Sequence, residues 1–384
     1  MDFSFTPAQE DFRAEVRAWL EANRPAADIG DWPSLREWHR TLHDGGWAAI
    51  AWPREYGGRG AALADQIIFN QELARLGLPI GCNPLGIIMA GPALIQWGTD
   101  EQKRRFIPPI LSGDEIWCEG LSEPGTGSDL AAIETRATAD GEFLIVNGHK
   151  VWTTLAHRAD YCQLFVRINP AAPRHRGLGC VLVDMHSAGV TVRPLRQMSG
   201  DSEFNEIFFD DVRVPRANLL GPADGGWAVL MSTLMHERIG IGETIGGVDR
   251  TLADLVELAR IEAPDGSRMK NDPAVRNQLA QFAIEAAARR YNGMRSLTRR
   301  LKGQPPGPEA SVSKLVATEL TQRMVRAAAT MIGLYTVLDA GSPFAPDGDW
   351  ARRILRAESL TIAGGTSAVQ RNMIGERMLG LPRN

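Results

Sequence analysis

The 384-residue chain has few cysteines, few lysines and no long apolar run. Its four cysteines, Cys82, Cys118, Cys162 and Cys180, are widely spaced and form no CxxC pair. That spacing excludes a disulfide scaffold and a zinc ribbon, and it fits a reducing cytoplasm. No stretch approaches the roughly 18 apolar residues of a membrane span. Forty-two Lys+Arg stand against 46 Asp+Glu, and the basic residues are scattered, so the cationic footprint of a nucleic-acid binder is missing. Only five of the basic residues are Lys. The opening MDFSFTPAQEDF has neither a basic nor an apolar leader segment, so the mature chain is expected to begin at residue 1. What remains is an ordinary globular composition, long enough for two or three domains.

The first third reads as helical. Thr6-Pro7-Ala8-Gln9 is a helix start: Thr caps, Pro takes the first turn, and Gln follows the cap by three residues. Phe12, Val16, Trp19 and Leu20 fall at helical spacing, as do Ile67, Ile68, Leu73 and Leu76. Gly57-Gly58, Gly91-Pro92 and Pro108-Pro109 punctuate the segments. Near residue 115 short runs rich in β-branched and aromatic residues begin: 142–146, 161–168, 179–185, 190–192 and 206–209. Asp140-Gly141 and Asn147-Gly148 read as hairpin turns, so an antiparallel β domain is expected. From Gly225 long Ala/Leu/Arg-rich segments restore helical periodicity, with loops at 263–273 and 303–308. The expected class is α+β, with a helical domain over 1–115, a β domain over 116–224 and a second helical domain over 225–384.

Several patterns fail on their context. His236-Glu237-Arg238-Ile239-Gly240 begins like the zinc motif HExxH but ends in Gly, which removes the second ligand. Gly240-Ile241-Gly242 falls inside a helical pattern rather than after a strand, so it is no dinucleotide loop. His39 and His43, four residues apart with no acid nearby, read as a partly exposed polar helix face.

Two places ask for more. Leu121-Ser-Glu-Pro-Gly-Thr-Gly-Ser-Asp129 is a Gly/Ser-rich loop whose backbone N–H groups could hold a phosphate or a polar heterocycle; an ordinary turn reads equally well. Trp152, ending a strand, offers either a flat apolar wall or a core side chain. Glu237 lies on a helix expected from about Gly226 to Ile245, on an apolar stripe with Leu230, Leu234 and Ile241. A carboxylate there is either a buried ion pair or a general base of raised pKa.

These segments, with Val146-Asn-Gly-His-Lys-Val-Trp-Thr-Thr154, Phe208-Phe-Asp-Asp-Val-Arg-Val-Pro215 and Gly364-Gly-Thr-Ser-Ala-Val-Gln-Arg-Asn372, resemble the acyl-CoA dehydrogenases in order and spacing along essentially the whole chain. The resemblance implies a helical domain, a β domain and a C-terminal four-helix bundle, commonly assembled as a tetramer. It implies FAD and an acyl-CoA substrate, with an electron-transfer flavoprotein as acceptor. Leu121, Ser122, Gly127 and Ser128 match the loop along the flavin, with Ser128 also near the CoA side. Trp152, Thr153 and Thr154 match the segment against the isoalloxazine, Thr366 a further flavin contact, and Arg238 a position near CoA.

The chain departs from the family where many relatives place their catalytic Glu, immediately before Gly-Thr: here that residue is Gly364. A minority carry the Glu on the central helix directly before an Arg, as Glu237-Arg238 does. The resemblance therefore implies Glu237 as base, with the Gly364 N–H retained for the thioester oxygen. Relatives also carry Arg-x-x-Phe-Gly and Gln-x-x-Gly-Gly segments that meet a neighbouring subunit's flavin. The corresponding stretches, Arg260–Ser267 and Thr330–Tyr335, match neither. Similar departures occur in bacterial members acting on sterol side chains or cyclic acids, some of them hetero-oligomers of two related chains. The expectation is a dehydrogenase favouring branched or cyclic acyl groups, as a homotetramer or with a related chain. The alternative is a non-catalytic or half-site subunit.

Overall fold

A computed structural model describes residues 5–25, 29–241, 247–262, 268–302, 304, 307–338, 342 and 349–382; the side chains of 238–241, 300, 301 and 349 are outside that description. The helices α1 (Pro7–Asn23), α2 (Trp32–Asp44), α3 (Leu63–Leu76), α4 (Gly91–Trp97) and α5 (Asp100–Ser112) come first. The strands follow: β1 (Trp117–Gly120), β2 (Arg136–Asp140), β3 (Phe143–Thr154), β4 (Tyr161–Arg167), β5 (Leu178–Asp184), β6 (Val190–Leu195), β7 (Phe204–Pro215) and β8 (Leu219–Leu220). Then come α6 (Gly226–Ile241), α7 (Val248–Arg260), α8 (Pro273–Leu301), α9 (Glu309–Ile332), α10 (Asp349–Leu360) and α11 (Ser367–Met378). The order of helices, sheet and helices is the expected one. The chain divides into two compact units, Met1–Gln197 with Ser202–Gly240, and Met198–Asp201 with Ile241–Asn384.

In the first unit, Thr6 and Gln9 form the reciprocal capping box that starts α1. Val16 and Leu20 of α1 pack with Phe69 and Leu73 of α3 around Trp38 and Trp47. Glu72 of α3 accepts from Arg13 and Arg17 of α1 at 2.9 and 3.0 Å, and from Arg75 at 2.8 Å. Two expectations need correction here. His39 is fully buried, and its Nε2–H donates to the Leu111 carbonyl at 3.0 Å, while burial pushes its pKa down. Pro108-Pro109 does not break the chain: α5 runs through both prolines, held by buried Phe106, Ile107 and Ile110.

The sheet runs β6-β7-β3-β2-β4-β5-β8, with β1 beside β4. Most pairs are antiparallel, but β1 and β2 each run parallel to β4. Alternation gives β1, β4 and β5 two buried faces. Trp117, Phe165, Cys180 and Leu182 meet the helices, and Cys118, Cys162, Leu164 and Val181 meet the interior of the curled sheet. Asp140-Gly141 does close the β2–β3 hairpin, with Asp140 level with Phe143. Asn147-Gly148 instead lies inside β3 at a register shift. Gly148 is needed there for close approach, since a Cβ would lie 2.4 Å from Thr135 Oγ1.

α6 belongs to the first unit, one helix beyond the change of sequence texture at 225. Its Val229 and Leu230 join the core containing Trp52, Leu94 and Trp117, and Trp97 Nε1 donates to Ser232 Oγ at 2.8 Å. Residues 242–245 of the expected helix lie outside the described residues. In the second unit α7, α8, α10 and α11 each pack against α9. Leu255, Phe282, Leu320, Met324 and Trp350 form that core. Residues 263–267 of the Arg260–Ser267 stretch and part of 303–308 are outside the described residues, while Thr330–Tyr335 ends α9 and enters a 3-10 turn.

Candidate active site

The loop after β1 is built on one buried charge. Lys150, fully buried on β3, donates from Nζ to Glu123 Oε1 and to the Leu121 carbonyl, both at 2.9 Å. Glu123 also accepts the backbone N–H groups of Glu134 at 2.7 Å and Thr135 at 2.9 Å. Burial would raise the Glu123 pKa, but the Lys150 ammonium and these donors hold it below the usual carboxylate range. Burial pushes Lys150 down to about 8 against the pull of Glu123. Beyond this anchor, Glu123 and Thr126 exchange backbone hydrogen bonds of 2.8 and 2.9 Å, closing a turn over Pro124-Gly125. Leu121 and Ser122 are half-buried, and Gly127 and Ser128 are exposed. A Cβ on Gly127 would meet nothing within 4 Å, so the loop's outer side is open.

The same lysine sets up the Trp152 segment. Its neighbour Val151 donates its N–H to the Ser122 carbonyl at 2.9 Å. The β3–β7 register then shifts between Lys150 and Thr153, which leaves Trp152 on a bulge. Trp152 has φ 61°, a left-handed conformation costing an aromatic residue roughly 1–2 kcal/mol. Its side chain is 60% exposed. It is a wall, not a core residue. Thr153 is buried, its carbonyl accepting from Asn205 Nδ2 at 2.9 Å, and Thr154 is half-buried. The predicted loop and the predicted indole segment are thus adjacent.

Glu237 is on α6 one turn past the fully buried Thr233. The residue is half-buried, less covered than the apolar stripe implied. Arg238 follows it on the helix, with a side chain outside the described residues. Glu119 on β1 is buried, and burial first and then the charge of Glu237 raise its pKa well above the usual carboxylate range; reading the motifs missed it. Its signal is a single carboxylate in the run Ile116–Leu121.

Gly364 and Thr366 belong to the second unit. Gly364 and Gly365 have φ 63° and 86°, so neither position suits a side chain. Lys314 Nζ donates to the carbonyls of Leu360 at 3.1 Å and Gly365 at 2.7 Å, and Gln370 Nε2 to Gly364 at 3.1 Å. Thr366 Oγ1 caps α11, accepting from Val369 N at 3.2 Å. Lys314 was also missed. Scarcity was the available signal: two of five lysines are buried, each under a loop that the resemblance assigns to the site.

The sequence matches the N-terminal domain of acyl-CoA dehydrogenases over residues 6–114, their middle domain over 118–212 and their C-terminal domain over 224–379. It is 38% identical to the acyl-CoA dehydrogenase IpdE1 of Mycobacterium tuberculosis, covering 97% of this chain and 98% of that one. Among solved structures, the Tcur3481-Tcur3483 steroid ACAD has a TM-score of 0.88 at 31% identity, covering 100% of both chains. A chain of the ChsE4-ChsE5 complex from Mycobacterium tuberculosis has a TM-score of 0.87 at 35% identity, again over 100% of both. No helix among the described residues is long and apolar enough to cross a membrane. On these matches and this fold, the chain belongs to the acyl-CoA dehydrogenase family and is an enzyme of that class.

Proposed function

We propose that the protein catalyses α,β-dehydrogenation of an acyl-CoA thioester to the 2-enoyl-CoA, with Glu237 as the base. The observation that carries this is positional: the C-terminal motif offers Gly364 where many relatives have Glu, while α6 carries a half-buried carboxylate directly before Arg238. Glu237 takes the α-proton, a contribution of roughly 10²–10⁴-fold for a positioned base. Arg238 meets the CoA moiety, and the Gly364 N–H bonds the thioester oxygen, stabilising the charge that develops there.

The residues present fit FAD. An exposed indole held on a bulge beside an open Gly/Ser loop offers a flat apolar face next to backbone donors. Leu121, Ser122, Gly127, Ser128, Trp152, Thr153, Thr154 and Thr366 would hold it, and FAD when bound supplies the acceptor for the hydride leaving the β-carbon. An electron-transfer flavoprotein would be the partner that reoxidises the loaded enzyme. The Gly364-Gly365 turn brings no side chain, which suits branched or cyclic acyl groups over straight short chains. The likeness to a steroid ACAD supports the same substrate class.

The test is anaerobic flavin reduction across an acyl-CoA panel, wild type against Glu237→Gln. Glu237→Gln is expected to keep its flavin and lose reduction by at least about 10²-fold. Near-normal reduction would move the base elsewhere. A wild type reduced only by butyryl- or octanoyl-CoA would overturn the acyl-group reading. A second reading, a half-site subunit of a hetero-oligomer, draws support from the likeness to the ChsE4-ChsE5 complex.

A further inference from the structure

Residues 361–366 join α10 to α11, and the last carbonyls of α10 have no partner within the helix. The Ser359 carbonyl accepts from the N–H groups of Ile362 and Ala363 at 3.0 Å each, and the Thr361 carbonyl from the Ser367 N–H at 3.0 Å. Lys314 of α9 is buried and donates to the Leu360 carbonyl at 3.1 Å, which sets an ammonium at the negative end of α10. A helix cap would need no more. Yet the same Nζ makes a shorter bond, 2.7 Å, to the Gly365 carbonyl. From α11, buried Gln370 donates Nε2 to the Gly364 carbonyl at 3.1 Å and reaches the Gly365 carbonyl at 3.4 Å. It comes that close only because residue 365 is Gly, where a Cβ would lie 2.6 Å from Nε2.

Two consecutive peptide groups, 364–365 and 365–366, are thus held by their oxygens. A trans peptide is planar, with its N–H directed opposite to its C=O. The held carbonyls therefore turn the N–H groups of Gly365 and Thr366 away from Lys314 and Gln370. The Gly364 N–H lies between this held pair and Ala363, whose own N–H is bonded to Ser359. Gly364, Gly365 and Thr366 donate their N–H groups to nothing among the described residues. Two adjacent glycines, here at φ 63° and 86°, are the freest backbone a chain can have. A donor on such a backbone keeps one direction only if other groups hold it, and a directed donor is what a developing oxyanion needs.

We infer that Lys314, with Gln370 beside it, is a positioning residue that fixes the direction of the Gly364 N–H. Its part in turnover rests on the reading of that N–H as donor to the thioester oxygen; the clamp on the turn does not. An apolar side chain of similar length at 314 would fill the same space without holding the Gly365 carbonyl, so packing and positioning are separable.

Three readouts on the holoenzyme test this, in Lys314→Met and in Gln370→Met. Hydrogen exchange at the bonded amides of Ile362, Ala363 and Ser367 is expected to quicken at least about tenfold in Lys314→Met, where a charged donor to two carbonyls is lost. The bound 2-enoyl-CoA product of the best substrate in the acyl-CoA panel, isotopically labelled at its thioester carbon, gives an infrared carbonyl band. In wild type that band is expected below its position in water, and in Lys314→Met about half of the displacement is expected to vanish. The kcat for flavin reduction is expected to fall about tenfold or more while KM stays within about threefold, because the bond to the oxygen strengthens in the transition state. Gln370→Met is expected to move all three the same way by less, and it decides alone if Lys314→Met does not fold. Unchanged exchange, or a displaced band that neither variant moves, overturns the proposal. A wild-type band at its position in water overturns the Gly364 reading, and the proposal with it.

Discussion

Lys150 is a cation with no exposed surface, and its partner is nearly as deep. Removing one member of such a pair leaves the other's charge buried and uncompensated. Lys150→Met is therefore expected to cost about 3–5 kcal/mol in thermal or denaturant unfolding, and to lower flavin content because the Leu121 carbonyl and the Glu123 turn lose their anchor. Lys150→Met with Glu123→Gln is expected to recover part of that stability, since no charge is then stranded. Equal losses in the single and double variants would mean the pair is not the source. The lysine was in plain sight in the Val146–Thr154 motif. Its role was not, because the carboxylate it meets is 27 residues away.

At the scale of elements, the α1–α3 contact turns on Glu72. Burial opposes its ionisation, but hydrogen bonds from Arg17, Arg13 and Arg75 hold its pKa down to about 2, from an ordinary 4.5. A carboxylate depressed on folding contributes stability that is fully present above its unfolded pKa and is lost as pH falls toward its folded one. The melting temperature is thus expected to drop between pH 4.5 and about 2, with a smaller drop over that window in Glu72→Gln. Parallel curves for the two proteins would count against the clamp. The start of α1 was readable from Thr6 and Gln9 because a cap is a contact within one turn. The burial of His39 was not, since Leu111, 72 residues on, supplies its partner. Nor was Asn147-Gly148 readable as strand interior, because the space Gly148 leaves is filled by Thr135 of another segment.

For the whole molecule the question is whether one chain makes a complete flavin site. Expressed alone, the protein is expected to carry about one FAD per chain, measured by absorbance against protein concentration after gel filtration. A colourless protein that takes up flavin only when mixed with a related chain would establish the half-site reading instead. The departures at Arg260–Ser267 and Thr330–Tyr335 make this measurement informative. They fall where relatives meet a neighbour's flavin.

The sequence by itself determined the family, the order of helices and strands, and the two places where a carboxylate base could stand. Those are carried by short motifs and by periodicity, which act within a few residues of chain. Only the tertiary structure decided what is buried under those motifs. It set Lys150 beneath the Glu123 turn, turned Trp152 outward on a bulge, and brought Lys314 of α9 beneath the Gly364-Gly365 turn. Each depends on segments distant in sequence becoming neighbours. Desolvation, which makes an acid neutral or a lysine an anchor, exists only once they do.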